Sequence, residues 1–169
     1  MENTKRTNKP KFNPDRGETG GYAALYYCVL RSKVYANLSS HAVKLLNDLL
    51  CQYRGTNNGD LSAPFSTMQR DRGWKSKGTL ARAIKELIES GLIEVSRQGG
   101  RHKCSLFAVT FYAVDECGGK LEIKSTSKPK SLWRNNEHLP DIQKLQKEKQ
   151  IRDDAKLLKL ILDRAKIAA

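Results

Sequence analysis

The chain has 169 residues, the length of one domain with an appendage, and its 31 Lys and Arg against 18 Asp and Glu give a formal net charge of +13. The excess is spread along the chain instead of sitting in one basic arm, which favours a polyanion, most often nucleic acid, as partner. No apolar run approaches the ~20 residues that span a bilayer, and the polar start MENTKRTNKPKFNPDRGETGG has no apolar core of a secretory signal, so a cytoplasmic protein without a membrane partner is expected.

Residues 1–20, punctuated by Pro10, Pro14, Gly17 and Gly20, are too polar to offset their ordering entropy and read as a disordered lead-in. Order is expected from about residue 21. The segment GYAALYYCVLRSKVYANL suits a strand or a short helix, and its pattern does not choose between them. Ser39-Ser40 supplies a helix cap, after which Ala42, Leu45, Leu46, Leu49, Leu50 and Tyr53 fall on one helical face. Asn57-Asn58-Gly59-Asp60 is a turn, and Leu61-Ser62-Ala63, closed by Pro64, is long enough only for an edge strand. A short helix is predicted from Ser66 to Arg72, broken at Gly73. A longer one follows, capped by Ser76 and ended by Gly91, with Leu80, Ile84, Leu87 and Ile88 inward.

The period then shifts towards two. Leu92–Arg97 and Cys104–Tyr112 flank a Gly-rich turn, predicting a hairpin whose tip gathers Arg97, Arg101, His102 and Lys103. Lys120–Lys124 offers one more strand. Residues 125–139 read as a basic linker. Residues 140–169 read as an amphipathic helix whose Ile151, Ala155, Leu158, Leu162 and Ala165 form a seam for a homodimer or for docking on the body. Trp74 is expected as a plug between helices and Trp133 as an anchor for the tail. His41 is placed on the solvent side with no chemistry assigned. The four cysteines form no C-x-x-C pair and the three histidines are scattered, so neither a metal site nor a cofactor is expected, and the thiols should be reduced. Cys28, Cys51 and Cys104, lying in apolar stretches, are expected as small core residues.

Helix, short strand, short helix, turn, helix and Gly-tipped hairpin is the order of an α+β winged helix-turn-helix domain, here spanning residues 21–124 with a C-terminal helical extension. A short helix braces a longer one whose first half enters the major groove, ~12 Å wide. Two segments, LSSHAVKLLNDLLCQYRGTNNGDL and WKSKGTLARAIKELIESGLIEVSRQGG, carry a resemblance over about Val29 to Phe111. The stretch resembles winged-helix DNA-binding proteins of bacterial plasmids, prophages and integrative elements, both regulator-like and replication-initiator-like. That resemblance implies groove reading by Ser76, Lys77, Thr79, Arg82 and Lys85. It also implies phosphate contacts from Lys75, Lys77, Arg97, Arg101 and Lys103. No nucleotide-loop, zinc-protease or nucleophile-elbow motif is present, so an enzyme is not expected. The function expected is sequence-specific binding of double-stranded DNA, in transcription or replication of a mobile element. The alternative is a winged-helix interaction module that docks a partner through the C-terminal helix.

Overall fold

The computed structural model describes residues 22–136. The expected lead-in, the C-terminal helix with its seam and the last residues of the linker lie outside them. Among the described residues the chain is mixed α+β, with five helices and a three-stranded antiparallel sheet. None of these helices is long and apolar enough to cross a membrane.

The segment left open between strand and helix forms two single turns, α1 (Tyr27–Leu30) and α2 (Lys33–Ala36). Ser32 separates them chemically: its hydroxyl donates to the Val29 carbonyl at 2.7 Å and accepts the Tyr35 N–H at 3.1 Å. α3 (Ser40–Leu50) starts at Ser39, whose hydroxyl accepts the Ala42 N–H at 3.2 Å. Ala42, Leu45, Leu46, Leu49 and Leu50 are buried, as a 3.6-residue period requires of an amphipathic helix. β1 (Leu61–Ser62) pairs with β3 along one edge. Its other edge is closed by the Gln52 amide, which accepts the Ser62 N–H at 3.0 Å and donates to the Ser62 carbonyl at 2.9 Å. One side chain thus does for a two-residue edge strand what a neighbouring strand would do.

α4 (Phe65–Arg72) ends at Gly73, and α5 (Lys77–Glu89) opens on Ser76, whose hydroxyl accepts the Thr79 N–H at 3.3 Å. Leu80, Ala83 and Leu87 form the buried side of α5. The expected inward position of Ile88 is corrected: it is 38% exposed, and Ala83 takes its place in the core. Gly91 turns the chain at φ +76°, and a Cβ there would lie 2.8 Å from backbone atoms of Leu132 and Trp133, so both the dihedral and the close approach require glycine. β2 (Ile93–Arg97) and β3 (Leu106–Val109) form the expected hairpin, and the sheet order is β1-β3-β2.

The register slips between Val95 and Arg97, a bulge that turns Ser96 out of the ladder. The Ser96 hydroxyl donates to the Gly59 carbonyl at 2.5 Å, and its carbonyl accepts the Glu122 N–H at 2.8 Å. Lys120–Lys124 therefore touches the hairpin at the bulge and forms no strand, against expectation.

The cysteine expectation also fails: Cys28, Cys51 and Cys104 are all exposed. Cys28 neighbours buried Val29 and Cys51 neighbours buried Leu50 without sharing their direction, because successive helical residues point to different sides, and Cys104 lies in the loop ahead of β3. Trp133, by contrast, is 1% exposed and joins the core from a 3-10 turn over Leu132–Asn136. The Ser131 N–H donates to the Thr110 carbonyl at 2.8 Å and the Asn136 amide to the Glu89 carbonyl at 2.8 Å. The far end of the stretch read as linker is thereby laid over the corner between α5 and β2.

Candidate nucleic-acid interface

The approach to α5 is held by a buried carboxylate. Asp48, on α3, accepts the Trp74 indole N–H at 2.8 Å and the Lys44 ammonium at 2.6 Å, and Arg72 stands 3.8 Å from its other oxygen. Trp74 is 3% exposed, in the core position expected of it. Lys44 also donates to the Arg72 carbonyl at 2.8 Å and lies 5.0 Å from the centre of the Trp74 ring. The turn between α4 and α5 is thus tied to α3 by one charge-assisted cluster. Further along, Glu86 of α5 accepts both the Ser39 N–H and the Ser39 hydroxyl at 2.6 Å, fixing the start of α3 against α5.

With its apolar side buried against α3, α5 presents Lys77, Gly78, Ala81, Arg82 and Lys85 to solvent. Two stripes flank that crest. Lys77, Ala81 and Ile84, at helical spacing, form one wall of a groove whose other wall is the hairpin, through Lys103, Cys104, Ser105 and Phe107. Lys77 and Lys103 therefore share one groove although 26 positions separate them in the chain. On the opposite stripe, Thr79, Arg82 and Glu86 line a hollow with Ser39 and His41. Beside it, His41, Lys44, Lys75, Ser76 and Thr79 surround a second hollow at Trp74.

The remaining candidates stand apart from these concavities. Lys85 is exposed and 3.6 Å from Glu89, an i,i+4 pair of little energetic weight in water. Arg97 is half-buried and turns back on its own hairpin, donating to the Cys104 carbonyl at 3.2 Å. Arg101 and His102 occupy the exposed tip, where Gly100 and Lys103 exchange both backbone hydrogen bonds at 3.0 and 3.2 Å. Arg82 reaches back to the Thr79 hydroxyl at 3.4 Å and is otherwise free to reorient.

Lys44 is not among the residues expected to contact DNA, and His41, exposed as expected, is assigned no chemistry there. The signal available was their i,i+3 spacing on one exposed side of α3. What α3 would face there is not contained in that spacing.

Burial first, then the neighbouring carboxylates of Asp60 and Asp115, pushes the Cys117 thiol up, away from the nucleophilic thiolate. Among the described residues no group of three His, Cys, Asp or Glu side chains is placed to hold a metal ion. Comparison of the chain with family models, with curated proteins and with solved structures gave no match.

Proposed function

We infer that the protein is a cytoplasmic winged helix-turn-helix protein that binds double-stranded DNA sequence-specifically, as a transcriptional regulator or replication-initiation protein of a mobile element. The observation that carries this reading is the shared groove of Lys77 and Lys103, one from the helix and one from the hairpin. A helix laid in a major groove with a hairpin reaching the adjoining backbone needs cations on those two walls. The net charge of +13 supports it, as does the exposed crest of α5. The reading assigns no catalytic role and no cofactor.

Arg82, exposed on α5 and with only a long contact to Thr79, is the residue assigned to a guanine edge, an interaction worth ~1–3 kcal/mol of discrimination. Duplexes selected from a random pool supply the target. Arg82→Ala is expected to weaken binding about 5- to 150-fold and to relax preference at one base pair. Arg101→Ala should lower affinity evenly across sequences and reduce the slope of log affinity against log salt by about 0.9. Fluorescence anisotropy reads both, and two variants that bind like the parent chain would sink the reading.

The seam at Ile151, Ala155, Leu158, Leu162 and Ala165 is proposed to pair two copies, matching a two-fold symmetric target. Sedimentation should then give a dimer for the full chain and a monomer for a chain ending at Asn136. Equal monomeric masses would remove the pairing.

A further inference from the structure

We propose that the hollow between the start of α3 and the start of α5 is a phosphate seat for the bound duplex, with the His41 imidazole as one of its N–H donors; this rests on the DNA-binding reading above. The hollow is lined by His41, Lys44, Lys75, Ser76 and Thr79 over Trp74 and Gly73, and no carboxylate of the described residues lines it. It therefore offers cationic and hydroxyl donors, the donor set that phosphate oxygens take.

The acids near it are already engaged. Asp48 beneath Trp74 is held by Lys44 and the indole N–H, and Glu86 in the neighbouring hollow is held by Ser39. The charged groups around His41 are thus Lys44 and Asp48 of α3, Arg72 at the end of α4, Lys75, and Arg82 and Glu86 of α5. His41 itself is exposed, its ring 6.1 Å from that of Trp74 and tilted by 48°. No hydrogen bond to another described residue occupies the imidazole. It sits on the flank of α5 that carries Thr79 and Arg82, away from the groove of Lys77 and Lys103. A duplex lying along the crest of α5 would then be gripped on both flanks, by the hairpin on one and by α3 on the other.

The imidazole carries a ring N–H that donates to an acceptor such as a phosphate oxygen, and a fixed cation or anion set at the same position strengthens or weakens the grip on the backbone.

The test measures anisotropy of a selected duplex with the full chain over a range of salt at one pH. His41→Lys is expected to bind roughly 5- to 10-fold tighter than the parent chain, with a slope of log affinity against log salt steeper by about 0.9, as one added phosphate contact requires. His41→Glu should weaken binding by at least as much, and Lys75→Gln should make the slope shallower by about 0.9. The seat is overturned if His41→Lys and His41→Glu both bind like the parent chain, or if Lys75→Gln leaves the slope unchanged. Loss of site preference in Arg82→Ala together with unaltered His41 variants would overturn the seat and leave the DNA reading standing. Failure of the parent chain to bind any duplex would overturn both.

Discussion

Asn58→Ala is expected to lower the free energy of unfolding by about 3–5 kcal/mol, the upper end for a single substitution. Asn58 is fully buried, and its amide group serves the end of β3. The Nδ2 group donates to the carbonyls of Val109 at 2.9 Å, Ala113 at 2.8 Å and Tyr112 at 3.3 Å, and Oδ1 accepts the Val109 N–H at 2.9 Å. Alanine leaves the buried Val109 N–H without this acceptor and the half-buried Tyr112 and Ala113 carbonyls without this donor, and each such group costs about 1–3 kcal/mol.

The backbone of Asn58 is clamped separately. Its N–H donates to the Asp115 carboxylate at 2.7 Å, and its carbonyl accepts the Asp115 N–H at 2.9 Å. That clamp survives the substitution, so the variant should unfold early and still reach the same fold. Asn58→Asp tests the donors alone: it keeps an acceptor for Val109 and sets a carboxylate against three carbonyls, and it should be at least as harmful. Urea denaturation monitored by tryptophan fluorescence reads both. A loss under 1 kcal/mol for Asn58→Ala would mean that water replaces the amide.

Trp133→Ala is expected to cost about 3–5 kcal/mol, the range for truncating a buried large aromatic. The indole is 1% exposed, and the Arg134 guanidinium lies 4.6 Å from its ring centre. Its removal leaves a cavity in the core and releases the backbone segment that passes under Gly91. Trp133→Phe separates packing from hydrogen bonding. The indole N–H is buried with no hydrogen-bond partner among the described residues, so phenylalanine sacrifices no bond to them, and a cost near 1 kcal/mol is expected. A Phe variant as unstable as the Ala variant would show that the N–H matters after all. In that case a water bridging it to the backbone is the alternative to look for.

The elements carried by local pattern were legible in the sequence. Ser39 and Ser76 cap α3 and α5 as expected, because a hydroxyl and the N–H groups it satisfies lie within three residues of each other. The hairpin from Ile93 to Val109 follows from alternation around a Gly-rich turn, and Trp74 from its apolar bulk between two helices. Cys28 and Cys51 were assigned to the core from the company they keep along the chain, whereas burial depends on direction around the helix axis; Ile88 was placed by helical spacing but stands at the edge of the buried face, 38% exposed. The strand expected at Lys120–Lys124 had the right alternation but meets the hairpin at the Ser96 bulge, where the ladder is already broken.

At the candidate interface, the residue types and the helix that presents them were readable, since Lys77, Arg82 and Lys85 lie on the polar side of one amphipathic pattern. Their grouping was not. Lys103 joins Lys77, and His41 joins Thr79, because the sheet brings the hairpin to one flank of α5 and the Asp48 and Glu86 clusters bring α3 to the other. By itself the sequence determined the charge, the caps, the helical faces and the hairpin, all of which depend on groups a few residues apart. Only the tertiary structure decided the role of Asn58, the burial of Trp133 and the two concave flanks of α5. Those depend on contacts 26 to 55 positions apart, which hydrophobic periodicity does not encode.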